Sequence, residues 1–249
     1  DLKFENNFQL DIDEIKNNIQ PNTKCISITS PHNPTGIVFK EEDIQQLIAI
    51  AEEKNIFLLV DETYRYLNFQ TPLTPYYANK SKQVISVCSL SKAHGVPGIR
   101  TGWIISKDKN LMHQFLAAKE QIIITNSVVD EAIALHILSQ PNYLEKTHQH
   151  IRRNFAILEN WIEREQSYLE WCAPMAGVVG FPRIKTEIKL NIDTFYRVLF
   201  EQYKTIVGPG HWFEQEDSYM RIGFGYPHAE ELQQGLKNIA ASIEAAIIP

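Results

Sequence analysis

The sequence predicts an α/β fold built on a mostly parallel sheet, followed by a smaller α+β region. Three observations carry this. Short apolar runs at 26–30, 56–60 and 83–88 each end in a turn or a polar cluster, as buried strands do when they deliver functional groups to one sheet edge. Between the first two, residues 41–55 set Ile44, Leu47, Ile48 and Ala51 on one helical face, which gives the strand, helix, strand alternation of a parallel sheet. Beyond Trp171 the pattern changes to strands at 177–181 and 220–224 with helices at 191–203 and 228–247, the mixture of a separate α+β domain.

The first strand, Ile26-Ser27-Ile28-Thr29-Ser30, runs into Pro31-His32-Asn33-Pro34-Thr35-Gly36. Two prolines and a glycine fix the backbone of that turn and hold the Asn33 amide at the strand end. The second, Ile56-Phe57-Leu58-Leu59-Val60, ends in Asp61-Glu62-Thr63-Tyr64. A carboxylate at such a place is costly unless it meets a cation or hydrogen-bond donors, so Asp61 either caps a local turn or faces a cationic ligand nitrogen. The third strand, 83–88, opens into Ser89-Leu90-Ser91-Lys92-Ala93-His94-Gly95-Val96-Pro97-Gly98-Ile99-Arg100. Ser89, Ser91 and Arg100 suit a phosphate dianion. Lys92 among them, partly desolvated at the strand end, is the candidate amine for covalent chemistry.

A further strand is expected at 100–106 and two helical stretches between Asp108 and Ser139. A long helix then runs from Pro141 to Glu165, with Ile151, Phe155, Leu158 and Ile162 at helical spacing, and links the two domains. Val207-Gly208-Pro209-Gly210 is a turn before His211-Trp212-Phe213, and Arg221 follows the strand-like Ser218-Tyr219-Met220.

Composition narrows the function classes. Net charge is −6 and the basic residues are scattered, so no nucleic-acid partner is expected. No apolar run is long enough to span a bilayer and no signal-peptide pattern opens the chain, which makes a cytoplasmic location the default. The three cysteines, Cys25, Cys88 and Cys172, are isolated and read as reduced core residues without zinc spacing. No metal site is expected.

Asn33-Pro34-Thr35-Gly36, Asp61 with Tyr64, Ser89-x-Ser91-Lys92 with Arg100, and Arg221-Ile222-Gly223-Phe224-Gly225 together resemble the class I/II aminotransferases, pyridoxal 5′-phosphate enzymes of fold type I. The likeness runs from about Cys25 to the C-terminus. It implies a three-layer large domain with a mostly parallel sheet, incomplete here, plus an α+β small domain. It also implies that Lys92 forms a Schiff base with the cofactor and then moves a proton as general base and acid. Asp61 would pair with the pyridinium nitrogen, while Asn33 and Tyr64 would hydrogen-bond the phenolic oxygen. Ser89, Ser91 and Arg100 would hold the phosphate. Arg221, with Asn33, would bind the substrate α-carboxylate. His94 stands where relatives often carry an aromatic residue, and is expected to pack.

The expected activity is ping-pong transfer of an amino group between an α-amino acid and a 2-oxo acid. A lyase, decarboxylase or cyclase on the same scaffold, or a non-catalytic homologue, are the alternatives. A homodimer follows from the resemblance alone. The expected domains are 1–140 for the cofactor-binding part, 141–170 for the interdomain helix and 171–249 for the small domain. The resemblance also implies that the chain starts near the middle of the large domain, without the segment that supplies its first strands in relatives, and Asp1-Leu2-Lys3 has no initiator methionine.

Overall fold

The computed structural model describes residues 2–68 and 75–248; Asp1 and Pro249, the outer bounds of the expected domains, lie outside the described residues. The chain folds as two compact units. One runs to Thr147 apart from Asn33–Gly36, and the other comprises Asn33–Gly36 and the chain from His148 onward.

In the first unit the strands β1 (Cys25–Thr29), β2 (Phe57–Asp61) and β3 (Val84–Ser89) lie side by side and parallel. The fourth, β4 (Gly102–Ser106), pairs antiparallel with β3. Leu58, Val60 and Val84 are wholly buried, as the apolar runs require. Registry aligns the carboxyl ends, with Asp61 opposite both Thr29 and Val87. Each crossover between parallel strands needs a covering element. Between β1 and β2 it is the helix α2 (Glu41–Lys54). Its buried face contains the Ile44, Leu47, Ile48 and Ala51 read from the sequence. Glu41, Glu42 and Asp43 in its first turn and Lys54 in its last complement the helix dipole, and Asn55 ends it in the left-handed conformation.

An N-terminal helix, α1 (Ile12–Asn18), was not among the expected elements. Its signal was local: Asp11 caps it by accepting the Glu14 N–H at 2.9 Å, the acidic start that marks a helix without a long apolar period. The two helical stretches after Asp108 are α3 (Lys109–Ile122), capped by Asp108, and α4 (Val128–Leu138), capped by Ser127. Cys25 opens β1 and is exposed, whereas Cys88 and Cys172 are buried. The core assignment therefore fails for Cys25, which starts a strand paired on one side only.

The second unit begins on α5 (Glu145–Arg164), shorter than the expected 141–165 because the chain after Pro141 first forms a turn, with Asn142 left-handed. Ile151, Leu158 and Ile162 are buried along it, and the half-buried Phe155 stacks on Trp171 with ring centroids 6.2 Å apart. Two small antiparallel sheets follow. One pairs β5 (Leu169–Glu170) with β7 (Arg183–Ile184); the other has the order β6 (Val179–Gly180), β9 (Met220–Gly223), β8 (Gly208–Pro209). The strand expected at 177–181 shrinks to two residues. Gly177 sits at φ +86°, and Pro182, which has no N–H to donate, follows at once. The helices α6 (Ile192–Glu201) and α7 (Ala229–Ala246) complete the unit, and both bury apolar faces.

Gly36 fastens the Asn33–Gly36 turn to this unit. Its carbonyl accepts the N–H groups of Met175 at 2.9 Å and Ala176 at 3.0 Å. It adopts φ +70°, and a Cβ there would collide with Pro174 and the Ala176 carbonyl, so glycine is required.

Candidate active site

Polar groups collect at the carboxyl ends of β2 and β3. Asp61 closes β2, half-buried, and its Oδ1 accepts the Thr63 N–H at 2.9 Å. It thus acts as a turn cap. Tyr64 follows on the same turn, with the Lys92 Nζ 5.9 Å from its ring centroid. Ser89 ends β3, and its Oγ accepts the Ser91 N–H at 3.3 Å. Arg100 lies in the left-handed region at φ +50° and donates from Nη1 to the Pro97 carbonyl at 2.9 Å, closing the loop that began at Ser89. Gly102 follows where β4 pairs with Ser89. Lys92 and Arg100 are exposed, not desolvated as the strand-end placement suggested, because both stand on loop residues past the last rungs of the sheet.

Beneath these groups lies a buried layer that the sequence reading did not single out. Glu62 is 2 % exposed and Arg65 is 8 % exposed. Arg65 Nη1 donates to Glu62 Oε2 at 2.7 Å, and the Tyr77 N–H donates to Glu62 Oε1 at 3.1 Å. Burial nonetheless outweighs those bonds and raises the Glu62 carboxyl above its ordinary value. The Arg65 guanidinium lies 3.6 Å from the Tyr76 ring centroid, and Trp103 Nε1 donates to the Tyr76 hydroxyl at 3.1 Å. Burial pushes the Cys88 thiol up to about 11, which keeps it unreactive. The signal for this layer was the charged pair Glu62 and Arg65 following an apolar strand, three residues apart.

His94 is buried between Tyr66, edge-on at 5.5 Å, and Tyr143, stacked at 5.9 Å. Burial lowers its pKa, which favours the neutral ring packed between the two tyrosines. The Tyr143 hydroxyl donates to the His94 carbonyl at 3.0 Å, tying down the loop two residues past Lys92.

Asn33 and Arg221 belong to the second unit. Although 188 positions apart in sequence, they are joined: Arg221 Nη1 donates to Asn33 Oδ1 at 3.2 Å. Arg221 stands on β9, half-buried, with its guanidinium 4.6 Å from the Phe213 ring centroid. An arginine held at one nitrogen keeps other N–H donors for a carboxylate. Behind it, Asn154 is fully buried and donates to the carbonyls of Phe224 and Pro227, each at 2.8 Å, which pins the turn that follows β9.

The Aminotransferase class I and II model matches residues 1–239. Capreomycidine synthase of Streptomyces vinaceus is 27% identical over 248 residues, covering 97% of this chain and 61% of its own length. Cystine lyase of Arabidopsis thaliana is 31% identical over 258 residues, covering 94% of this chain and 59% of its own. A solved PLP-dependent aminotransferase from Streptococcus suis superposes with a TM-score of 0.89 at 28% identity, over 100% of this chain and 64% of that one. The chain thus spans about three-fifths of the length of the curated relatives it matches. With a family model matched over nearly its whole length and the fold type I architecture shared with solved aminotransferases, the chain belongs to the aminotransferase class I and II family.

Proposed function

We propose that the protein containing this chain is a pyridoxal 5′-phosphate-dependent aminotransferase that moves an amino group between an α-amino acid and a 2-oxo acid by a ping-pong mechanism. The carrying observation is the loop from Ser89 to Arg100 at the end of β3, beside Asp61 at the end of β2.

The donor set suits the cofactor. Two hydroxyls and a guanidinium match a phosphate dianion, a carboxylate matches a protonated ring nitrogen, and a lysine matches an aldehyde. Ser89, Ser91 and Arg100 would hold the phosphate, Asp61 the ring nitrogen, and Lys92 the aldehyde carbon. The bound cofactor supplies an electron sink for the charge that develops at the substrate α-carbon. Lys92 Nζ accepts the α-proton and returns it at the other end of the reaction. The Tyr64 hydroxyl and the Asn33 amide would donate to the ring oxygen; Asn33 Oδ1 already accepts from Arg221, which leaves Nδ2 as its donating end. Arg221 grips the α-carboxylate and orients the amine.

Residues 1–140 would serve as the cofactor-binding part of the large domain, 141–170 as the interdomain helix and 171–249 as the small domain. A homodimer in the cytoplasm is the assembly and location that go with this reading; among the described residues no helix is long and apolar enough to cross a membrane. A second reading, lyase or cyclase chemistry with the same groups, is favoured by the synthase and the lyase among the relatives.

The test uses the natural full-length protein. Wild type with added pyridoxal phosphate should develop a visible absorption band that Lys92→Ala abolishes, and the band should shift with an amino acid. Amino-group transfer to pyruvate or 2-oxoglutarate then supports transamination. Release of ammonia without transfer would support the lyase, and no lysine-dependent band would overturn the whole reading.

A further inference from the structure

The loop between β8 and β9 is closed on itself by a single carboxylate. Asp217 Oδ1 accepts the His211 N–H at 3.0 Å and lies 2.6 Å from His211 Nδ1. A carboxylate only accepts, so that ring nitrogen bears the hydrogen. Burial pushes the Asp217 carboxyl up, but the two bonds and the charge of His211 outweigh it and hold it below the usual range. The Gln215 N–H returns to the Gly210 carbonyl at 3.1 Å. Gly210 packs so tightly under Glu216 that a Cβ would overlap its carbonyl. Tyr196, from α6, donates its hydroxyl to the Asp217 carbonyl at 3.0 Å, fixing where the loop rejoins the unit.

Phe213 stands on this loop, and its face meets Arg221 at 4.6 Å. On its other side it is braced. It packs edge-on against Phe181 at 5.6 Å, and Phe181 stacks on Tyr219 at 5.3 Å. The Tyr219 hydroxyl accepts from Arg183 Nη1 at 2.8 Å, while Arg183 Nε bonds Glu170 Oε1 at 2.8 Å. Arg221 is therefore located by Asn33 on one side and by a braced aromatic on the other, and the position of that aromatic depends on the loop being shut.

We propose that Asp217, through His211 and the loop they close, is a positioning residue for Arg221 and so sets how tightly that arginine grips a carboxylate. This rests on the reading of Arg221 as a carboxylate seat. A half-exposed ion pair contributes little by itself, so the effect of Asp217 is graded, and that of Phe213 is larger because a cation–π contact is lost outright.

The test is made on the natural full-length protein loaded with cofactor. Arg221 is followed by its modification with phenylglyoxal, read by peptide mass spectrometry, with propanoate as the protecting carboxylate. Asp217→Ala should raise the propanoate concentration needed for half protection about 2- to 5-fold. Phe213→Leu should raise it about 3- to 30-fold. Asp217→Asn, whose amide oxygen still accepts both His211 bonds, should stay close to wild type, a rescue that a bulk structural role of the charge would not give. His211→Ala, which keeps the backbone bond, should lie between the two and serves if Asp217→Ala does not fold. Amide exchange at 210–217 reports loop opening independently. Faster exchange in Asp217→Ala with unchanged Arg221 protection overturns the proposal. If propanoate fails to protect Arg221 in the wild type, the seat itself is refuted; positioning is then read from the unprotected modification rate, which rises in Asp217→Ala if the proposal holds and is unchanged if it does not.

Discussion

Replacing His32 by glutamine should remove an acid sensitivity built into the turn that leads to Asn33. His32 follows Pro31, its N–H donates to the Ile37 carbonyl at 2.8 Å, and its ring lies 6.0 Å from that of Phe39. Burial lowers its pKa from 6.5 to about 4. The unfolded chain therefore binds a proton that the folded chain refuses, so stability rises with pH across that window. The contribution is fully present above pH 6.5 and is lost progressively as pH falls toward 4. At about 1.4 kcal/mol per pH unit that difference is worth at most about 3.5 kcal/mol, and less because the residue is not wholly shielded from water. Urea unfolding of wild type and His32→Gln at a series of pH values measures it, with the His32 imidazole titrated by NMR in parallel. Wild type should lose stability more steeply than the variant between pH 6.5 and 4. Equal slopes, or a ring that titrates near 6.5, would refute the reasoning.

Arg65→Met should cost about 3–5 kcal/mol, because it removes the counter-ion bonded to the buried Glu62 carboxylate; the double variant Glu62→Gln/Arg65→Met should recover much of that loss in the same denaturation assay. Asn154→Ala removes the donor shared by the buried Phe224 carbonyl and the part-buried Pro227 carbonyl and should destabilise by about 1–4 kcal/mol, about 1–3 for the buried acceptor and less for the other, with faster amide exchange after Phe224 as its local signature. Leu58→Ala, at a wholly buried position of β2, should cost about 2–5 kcal/mol, measured as a fall in urea midpoint with an unchanged slope.

The parallel strands were legible because their apolar runs are continuous and end abruptly: the 56–60 run became Phe57–Asp61 and the 83–88 run became Val84–Ser89, each within one residue. The long helices were legible for the same reason, having enough turns for a period to show. What escaped was short. The helix Ile12–Asn18 has fewer than two full turns, so only its cap could announce it, and β5, β7 and β8 are pairs of residues whose pairing is set by partners far along the chain. The exposure of Cys25 likewise depends on which strand edge is left unpaired, a property of the sheet and not of the strand. Among the site residues, those within one loop, from Ser89 to Arg100, could be read together. The bond between Asn33 and Arg221 could not, because nothing local in either segment encodes the other.

The same contrast bears on where the chemistry of this chain is decided. On the proposed reading the groups at the ends of β2 and β3 would meet a cofactor's fixed features, a phosphate, a ring nitrogen and an aldehyde, and these would be alike whichever bond of a substrate is broken. Reaction choice would then depend on how the substrate is oriented at the site. On the proposed reading the carboxylate of an amino acid would be held by Arg221, the arginine of β9 that donates to the Asn33 amide oxygen and faces Phe213. Loosening that arginine through Phe213→Leu should therefore change more than affinity. The full-length protein should lose fidelity, with the ratio of ammonia release to amino transfer rising above that of wild type. A ratio that stays constant while affinity falls would show that the carboxylate seat binds without steering, and would place the choice of reaction elsewhere.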